Sequence, residues 1–225
     1  MTVGEEREIV FTSPAPETVA ALCRYADVVG SRVLEIGSGS GRLSGELHQV
    51  AERLVALEPG VADLRQALRG IPGLEGVCGS GEALPFVPET FDLAIFSLSL
   101  HHHPDCTAAL TQAAEVVRPG GRILALEPRH EGELSQVCTV FHDEREALER
   151  ARLALAAWPE GRCFSLPTEW SFAGPEALAQ WVFEYYEQPY ETALVDWMLA
   201  RLGPRQTLRP LLVDDPLWCW VLQRR

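Results

Sequence analysis

Apolar residues recur at helical spacing over residues 14–29 (PAPETVAALCRYADVV), with Pro and Glu early in the run, which predicts a helix. The short apolar run VLEI at 33–36 stops at glycines and reads as a buried strand ending in a turn. Residues 42–51 form the next predicted helix, 54–59 a second strand, 61–69 a helix and 74–78 a weak strand. The strongest strand pattern is TFDLAIFSLSL at 90–100. A helix over 107–118 follows, stopped by Pro119-Gly120-Gly121, and 122–128 is a fifth strand. Strands that alternate with helices of about ten residues call for right-handed crossovers and a parallel sheet.

After Pro128 the rhythm changes. Residues 133–157 read as one long helix, the stretch WPEGRCFSLPTEW at 158–170 as a loop, and 175–187 and 190–203 as two further helices. Two short strands are expected around the turn Asp214-Asp215-Pro216. All six Trp and three of the four Tyr fall after residue 157. Trp181, Phe183, Tyr185, Tyr186 and Trp197 suit either extra core or an apolar cap over a substrate. The expected organisation is a single α/β domain over 1–225. It has a ligand-binding core at 31–128, a helical elaboration at 129–206 and C-terminal strands at 207–225.

Composition narrows the chemistry. The chain has 225 residues, enough to bury a core without disulfides or metals, and all of its 19 basic residues are Arg. The absence of both Lys and Asn points to a GC-rich bacterial coding sequence. Without Lys there is no Schiff base and no P-loop lysine. A formal charge of −13 and a pI near 4.9 argue against nucleic-acid and anionic-membrane partners. The start MTVGEEREIV lacks the pattern of a signal peptide, and six scattered cysteines without a CxxC pair suit free thiols, so a cytoplasmic location is expected.

The central motif is Gly37-Ser38-Gly39-Ser40-Gly41, placed between the first strand and a helix, where glycines let a ligand approach the backbone. A dinucleotide site needs G-x-G-x-x-G/A, but the last position falls on Arg42 or Ser44 depending on the starting glycine. Glu35, two residues before Gly37, would repel a pyrophosphate and suits a cationic group. Glu58, at the end of the next strand, is placed to accept from both hydroxyls of a ribose.

Taken together, VLEIGSGSG, LVALEP, CGSGEALPFVPETFDLAIFSLSLHHHPD and VVRPGGRILALEP resemble the successive motifs of class I S-adenosylmethionine-dependent methyltransferases. The nearest resemblance is to the small-molecule group that includes the ubiquinone/menaquinone-biosynthesis type, and it covers about residues 31–128. It implies a doubly wound, mostly parallel seven-stranded sheet and S-adenosylmethionine as cofactor. In that frame Glu35 holds the cofactor's amino-acid end, Gly37, Ser38, Gly39 and Gly41 line its methionine and ribose, and Glu58 with Pro59 meets the ribose diol. Ser80 stands where the family usually has an Asp for the adenine amino group, with Gly81 and Glu82 supplying backbone donors beside it. Ser97 and Leu98 are expected along the methionine moiety.

The run His101-His102-His103-Pro104-Asp105 does not read as a metal site, because adjacent loop residues rarely converge on one ion. Methyl transfer is an in-line displacement that needs alignment and desolvation, plus a base for an oxygen or nitrogen acceptor. His101 is the first candidate for that base, His130 and Glu127 could also serve, and His130 and His142, which flank or sit on a charged helix, read more readily as solvated. The expected function is methyl transfer to a small, partly apolar molecule. The competing reading is a non-catalytic S-adenosylmethionine-binding subunit, with a homodimer open to either.

Overall fold

The computed structural model describes residues 11, 12 and 14–225. The segment 1–10, where a signal peptide was sought, lies outside them. These residues divide into two compact units, one built from the segments 15–129, 145–166 and 216–225 and the other from residues 11, 12 and 14 with the segments 130–144 and 167–215. The two units have separate cores and separate sheets.

In the order of the chain, the elements are β1 (Phe11–Thr12), α1 (Ala15–Tyr25), β2 (Arg32–Ile36), α2 (Ser44–Val50), β3 (Arg53–Glu58), α3 (Val61–Gly70) and β4 (Glu75–Cys78). Then come β5 (Phe91–Ser97), a 3-10 turn at Leu100–His102, α4 (Cys106–Val116), β6 (Val117–Pro128), α5 (Glu133–Cys138) and α6 (Arg145–Ala156). The chain closes with β7 (Arg162–Leu166), β8 (Glu169–Phe172), α7 (Pro175–Tyr185), α8 (Thr192–Ala200), a 3-10 turn at Gly203–Thr207, β9 (Leu211–Asp214) and β10 (Leu217–Gln223).

The larger unit holds a seven-stranded sheet in the order β4-β3-β2-β5-β6-β10-β7. The first five strands are mutually parallel, and β10 runs antiparallel to both β6 and β7. Both faces are covered, and the strand residues alternate between the two cores. Leu54, Ala56, Leu93, Ile95, Leu124 and Leu126 pack with α1, α2 and α3 on one face. Val55, Leu57, Ala94, Phe96, Ile123 and Ala125 pack with α4 and α6 on the other. A near-continuous apolar run is what a strand buried on both faces requires. Asp92 fastens the opposite end of the sheet, accepting from Arg32 Nε at 3.0 Å and Arg118 Nε at 2.6 Å, and these guanidinium groups hold its carboxyl far below the usual range.

The smaller unit has a three-stranded antiparallel sheet, β1-β8-β9, and a core of Leu134, Val137, Trp170, Phe172, Leu178, Phe183 and Met198. Several expectations are corrected here. The single helix over 133–157 is two helices, because α5 buries Leu134 and Val137 in one core while α6 buries Ala151 and Leu155 in the other. The supposed loop at 158–170 contains β7 and the start of β8, so the 129–206 elaboration is not purely helical. The two C-terminal strands flank the Asp214-Asp215-Pro216 turn but join different sheets. Among the described residues no helix is long and apolar enough to cross a membrane.

Candidate active site

The sheet order reverses direction of winding between β2 and β5, and open α/β sheets bind their ligands at the carboxyl ends of the strands at such a point. The glycine turn leaves β2 there. Gly37 has φ +73°, and a Cβ on it would lie 2.5 Å from the Ser99 side chain, so only glycine fits. The turn is stitched to β3 by the N–H groups of Gly37 and Ser38, which donate to Leu57 O at 2.8 and 3.1 Å. On its other side the Ser99 hydroxyl donates to Ile36 O at 2.6 Å.

Two acidic residues flank the turn in different ways. Glu58 is partly exposed, and its carboxylate accepts from Gly39 N–H at 2.9 Å and Gly60 N–H at 2.8 Å. Glu35 is 1% exposed and accepts from the Ser44 hydroxyl at 2.5 Å. Burial pushes its pKa up to about 7, against the Ser44 bond and the nearby Arg42 charge, both of which lower it. Ser38 is buried in the same turn, and its hydroxyl has no hydrogen-bond partner among the described residues. At Gly39 a Cβ would meet no atom of the described residues within 4 Å.

Beyond β4, Ser80 and Glu82 form a compact loop. Glu82 N–H donates to Ser80 Oγ at 3.3 Å, and the Glu82 carboxylate accepts from Asp105 N–H at 2.7 Å. Gly81 is buried against Ile36 and His103. Asp105 in turn caps α4 by accepting from Ala108 N–H at 2.9 Å. At the end of β5, Ser97 is buried and accepts from Arg42 Nη2 at 2.9 Å, while Leu98 takes φ +57° and donates to Leu126 O. His103 Nδ1 sits 3.0 Å from Ser99 O.

His101 is 2% exposed, and its Nδ1 pairs with the buried carboxylate of Glu127, which also accepts from Leu100 N–H at 3.1 Å. The two residues read separately as candidate bases are therefore one hydrogen-bonded pair. His130 lies on the surface beside Glu131, 3.3 Å away, and His142 is exposed. Glu35, Gly37, Ser38, Gly39, Gly41, Glu58 and Ser97 gather around the turn, and Pro59 follows Glu58 on the surface. Arg42, Ser44 and Ser99 were missed as site residues. Arg42 was read only as an obstacle to dinucleotide binding, although its position directly after the last glycine was the available signal.

A seven-stranded, mostly parallel sheet with this turn and this pair of carboxylates defines a class I methyltransferase fold. Residues 34–125 match the family described as "Methyltransferase domain". The chain is 31% identical over 116 residues to phthiotriol/phenolphthiotriol dimycocerosates methyltransferase 1 of Mycobacterium ulcerans, a stretch covering 50% of this chain and 43% of that one. It is 30% identical over 103 residues to demethylmenaquinone methyltransferase of Renibacterium salmoninarum, covering 46% and 44%. The match thus spans less than half the length of these relatives. Among solved structures, the YcgJ protein of Bacillus subtilis shares the fold with a TM-score of 0.62 at 15% identity, covering 93% of this chain and 99% of that one.

Proposed function

We propose that this protein transfers a methyl group from S-adenosylmethionine to a small, partly apolar acceptor. The observation that carries the reading is the Glu58 carboxylate, fixed by two backbone N–H groups at the edge of the glycine turn. Each carboxylate oxygen has two lone-pair positions and each N–H takes one, so both oxygens retain an acceptor site for a ribose diol. The cofactor's fit is supported further by the Ser38 hydroxyl, which has no partner among the described residues, and by Gly39, where no described residue comes within 4 Å of a Cβ position. Glu35 offers an acceptor for its ammonium end, and Ser80 with Gly81 offers polar groups for the adenine.

When bound, the cofactor supplies an electrophilic methyl group on a sulfonium. The chain's own work is to align the acceptor, exclude water and take up a proton where the acceptor atom carries one. His101 is the group for that proton, with its ring held through Nδ1 by Glu127. An apolar acceptor is favoured because the relatives are named for a dimycocerosate lipid and a demethylated menaquinone. The aromatic wealth of the second half suits the same class of molecule. The −13 charge supports a small-molecule acceptor over nucleic-acid or anionic-membrane partners, and the scattered cysteines without a CxxC pair support a cytoplasmic location.

Titration calorimetry tests the reading. S-adenosylmethionine and its demethylated product are expected to bind in the micromolar range, and NAD is not. NAD binding without any response to the adenosyl ligands would overturn it. Labelled-methyl uptake from metabolite extracts then separates an enzyme from a binding subunit, since the latter would hold the cofactor and transfer nothing.

A further inference from the structure

The sequence of α8, TALVDWMLA, is apolar at more positions than its core contact uses. Val195 and Met198 are buried in the core of the smaller unit, with Leu194 and Leu199 half-buried beside them. On the opposite side of the helix Ala193, Trp197 and Ala200 are exposed, Trp197 by 37%. A surface helix ordinarily carries polar residues there. Spacings of four and then three place these residues on one stripe, the seam of a coiled coil with Trp197 at position a and the alanines at d. Opposite charges flank the stripe. Asp196 falls at g on one side, and Arg201, whose backbone continues the helix with φ −70° and ψ −24°, falls at e on the other. Both are exposed, and neither has an ion-pair partner among the described residues. The Arg201 guanidinium lies over the Trp197 ring and its Nη1 donates to Trp197 O at 3.2 Å, which fixes the charge beside the seam.

We propose that this face of α8 binds a second copy of the chain, with two α8 helices side by side and parallel about a two-fold axis along the seam. The charge pattern selects this occupant. In a parallel pair, position g of one helix meets position e five residues further along the other, so Asp196 of each copy meets Arg201 of the other. The two-fold makes both contacts identical. An antiparallel pair would set like charge against like charge on both flanks, and a partner of single sign would be repelled on one of them. Trp197 faces its own equivalent across the axis, and the alanine layers above and below leave room for two indoles. A guanidinium has five N–H donors, so Arg201 can keep its bond to Trp197 O and still meet a carboxylate. Two turns form a small interface and each copy carries −13 charges, so the dimer is weak, with a Kd in the micromolar range.

Sedimentation equilibrium of the full chain, at concentrations up to about 1 mM, tests the pairing. The wild type is expected to show a monomer–dimer equilibrium. Asp196→Arg and Arg201→Asp each bring like charges together at both flanking contacts and should weaken self-association at least about tenfold, with melting temperatures unchanged. Asp196→Arg also makes the net charge less negative by two, so general repulsion alone would predict tighter association. Mixed together, the two variants again set Arg against Asp at both contacts. They should combine with each other to within about threefold of the wild-type affinity. Trp197→Ala should weaken the dimer at least about tenfold as well. A wild type still monomeric at about 1 mM overturns the proposal without any variant. A dimer that none of these substitutions weakens lies elsewhere on the chain and overturns it too. Two charge variants that each lose self-association yet ignore one another rule out the parallel pair. If a charge reversal disturbs the helix, the wild-type concentration dependence and Trp197→Ala still decide.

Discussion

Glu35, one residue before the end of β2, and Glu58, at the end of β3, lie on adjacent parallel strands, yet their surroundings give them different tasks. Glu35 is sealed under the turn with Ser44 as partner, and burial raises its pKa from 4.5 to about 7. A carboxyl whose pKa is raised by folding stabilises the folded state fully below its unfolded value, and that contribution is lost as pH rises through the folded value. Glu35→Gln keeps an acceptor for the Ser44 hydroxyl and removes the titration. Without ligand, it should match the wild type near pH 4 and be more stable near pH 8 by roughly 3 kcal/mol. Equal melting-temperature differences at both pH values would show that Glu35 does not titrate with folding. Glu58 is partly exposed and held by backbone donors, so its removal bears on ligand binding. Glu58→Ala should weaken S-adenosylmethionine by about 2–3 kcal/mol, the worth of charge-assisted bonds to two hydroxyls, while the protein stays folded. Unchanged affinity measured by calorimetry would place the ribose elsewhere.

At the scale of elements, α7 mixes two kinds of aromatic residue that the sequence could not sort. Phe183 is 2% exposed and packs edge-on to Phe141 at 5.0 Å, so it is core. Tyr186 is partly buried beside the Cys138 thiol, and burial pushes both groups up, Cys138 to about 12. Tyr185 is 62% exposed and stacks on Trp181 at 5.2 Å. Phe183→Ala should therefore cost about 3–5 kcal/mol in chemical denaturation, whereas Tyr185→Ala should stay within about 0.5 kcal/mol. A large loss at Tyr185 would show that its ring is structural and unavailable to an acceptor. The alternation of βα units through Pro128 was legible because β2 and β3 are single apolar runs ended by Gly or Pro, at Ile36-Gly37 and Glu58-Pro59, and β5 carries the apolar run LAIF at 93–96. The later elements were not, because β7 alternates weakly and gains its place only by pairing with β10, a partner some fifty residues away. Local pattern likewise could not split 133–157, since the break reflects which of two cores each half enters. At the site, glycines and acids were readable from spacing, but the Arg42–Ser97 and His101–Glu127 pairs join residues far apart in sequence.

The whole molecule carries −13 charges with no Lys, so the field that an approaching acceptor meets is dominated by carboxylates. Such a field acts on association rate more than on fold, and it is screened within about 10 Å at 0.1 M salt. A neutral, partly apolar acceptor does not feel it to first order. An anionic acceptor is repelled until salt screens the chain, and a polyanion such as RNA is repelled most. Once labelled-methyl screening has supplied acceptors, kcat/KM can be followed from about 0.05 to 0.5 M salt, a range over which the screening length falls severalfold. For a neutral acceptor it is expected to change by less than about twofold, while for an anionic analogue it should rise several-fold. RNA should take up no label at any salt. Transfer to RNA, or a preference for anionic acceptors at low salt, would mean that the local charge around Arg42 outweighs the net charge of the chain. The acceptor would then have to be sought among acids.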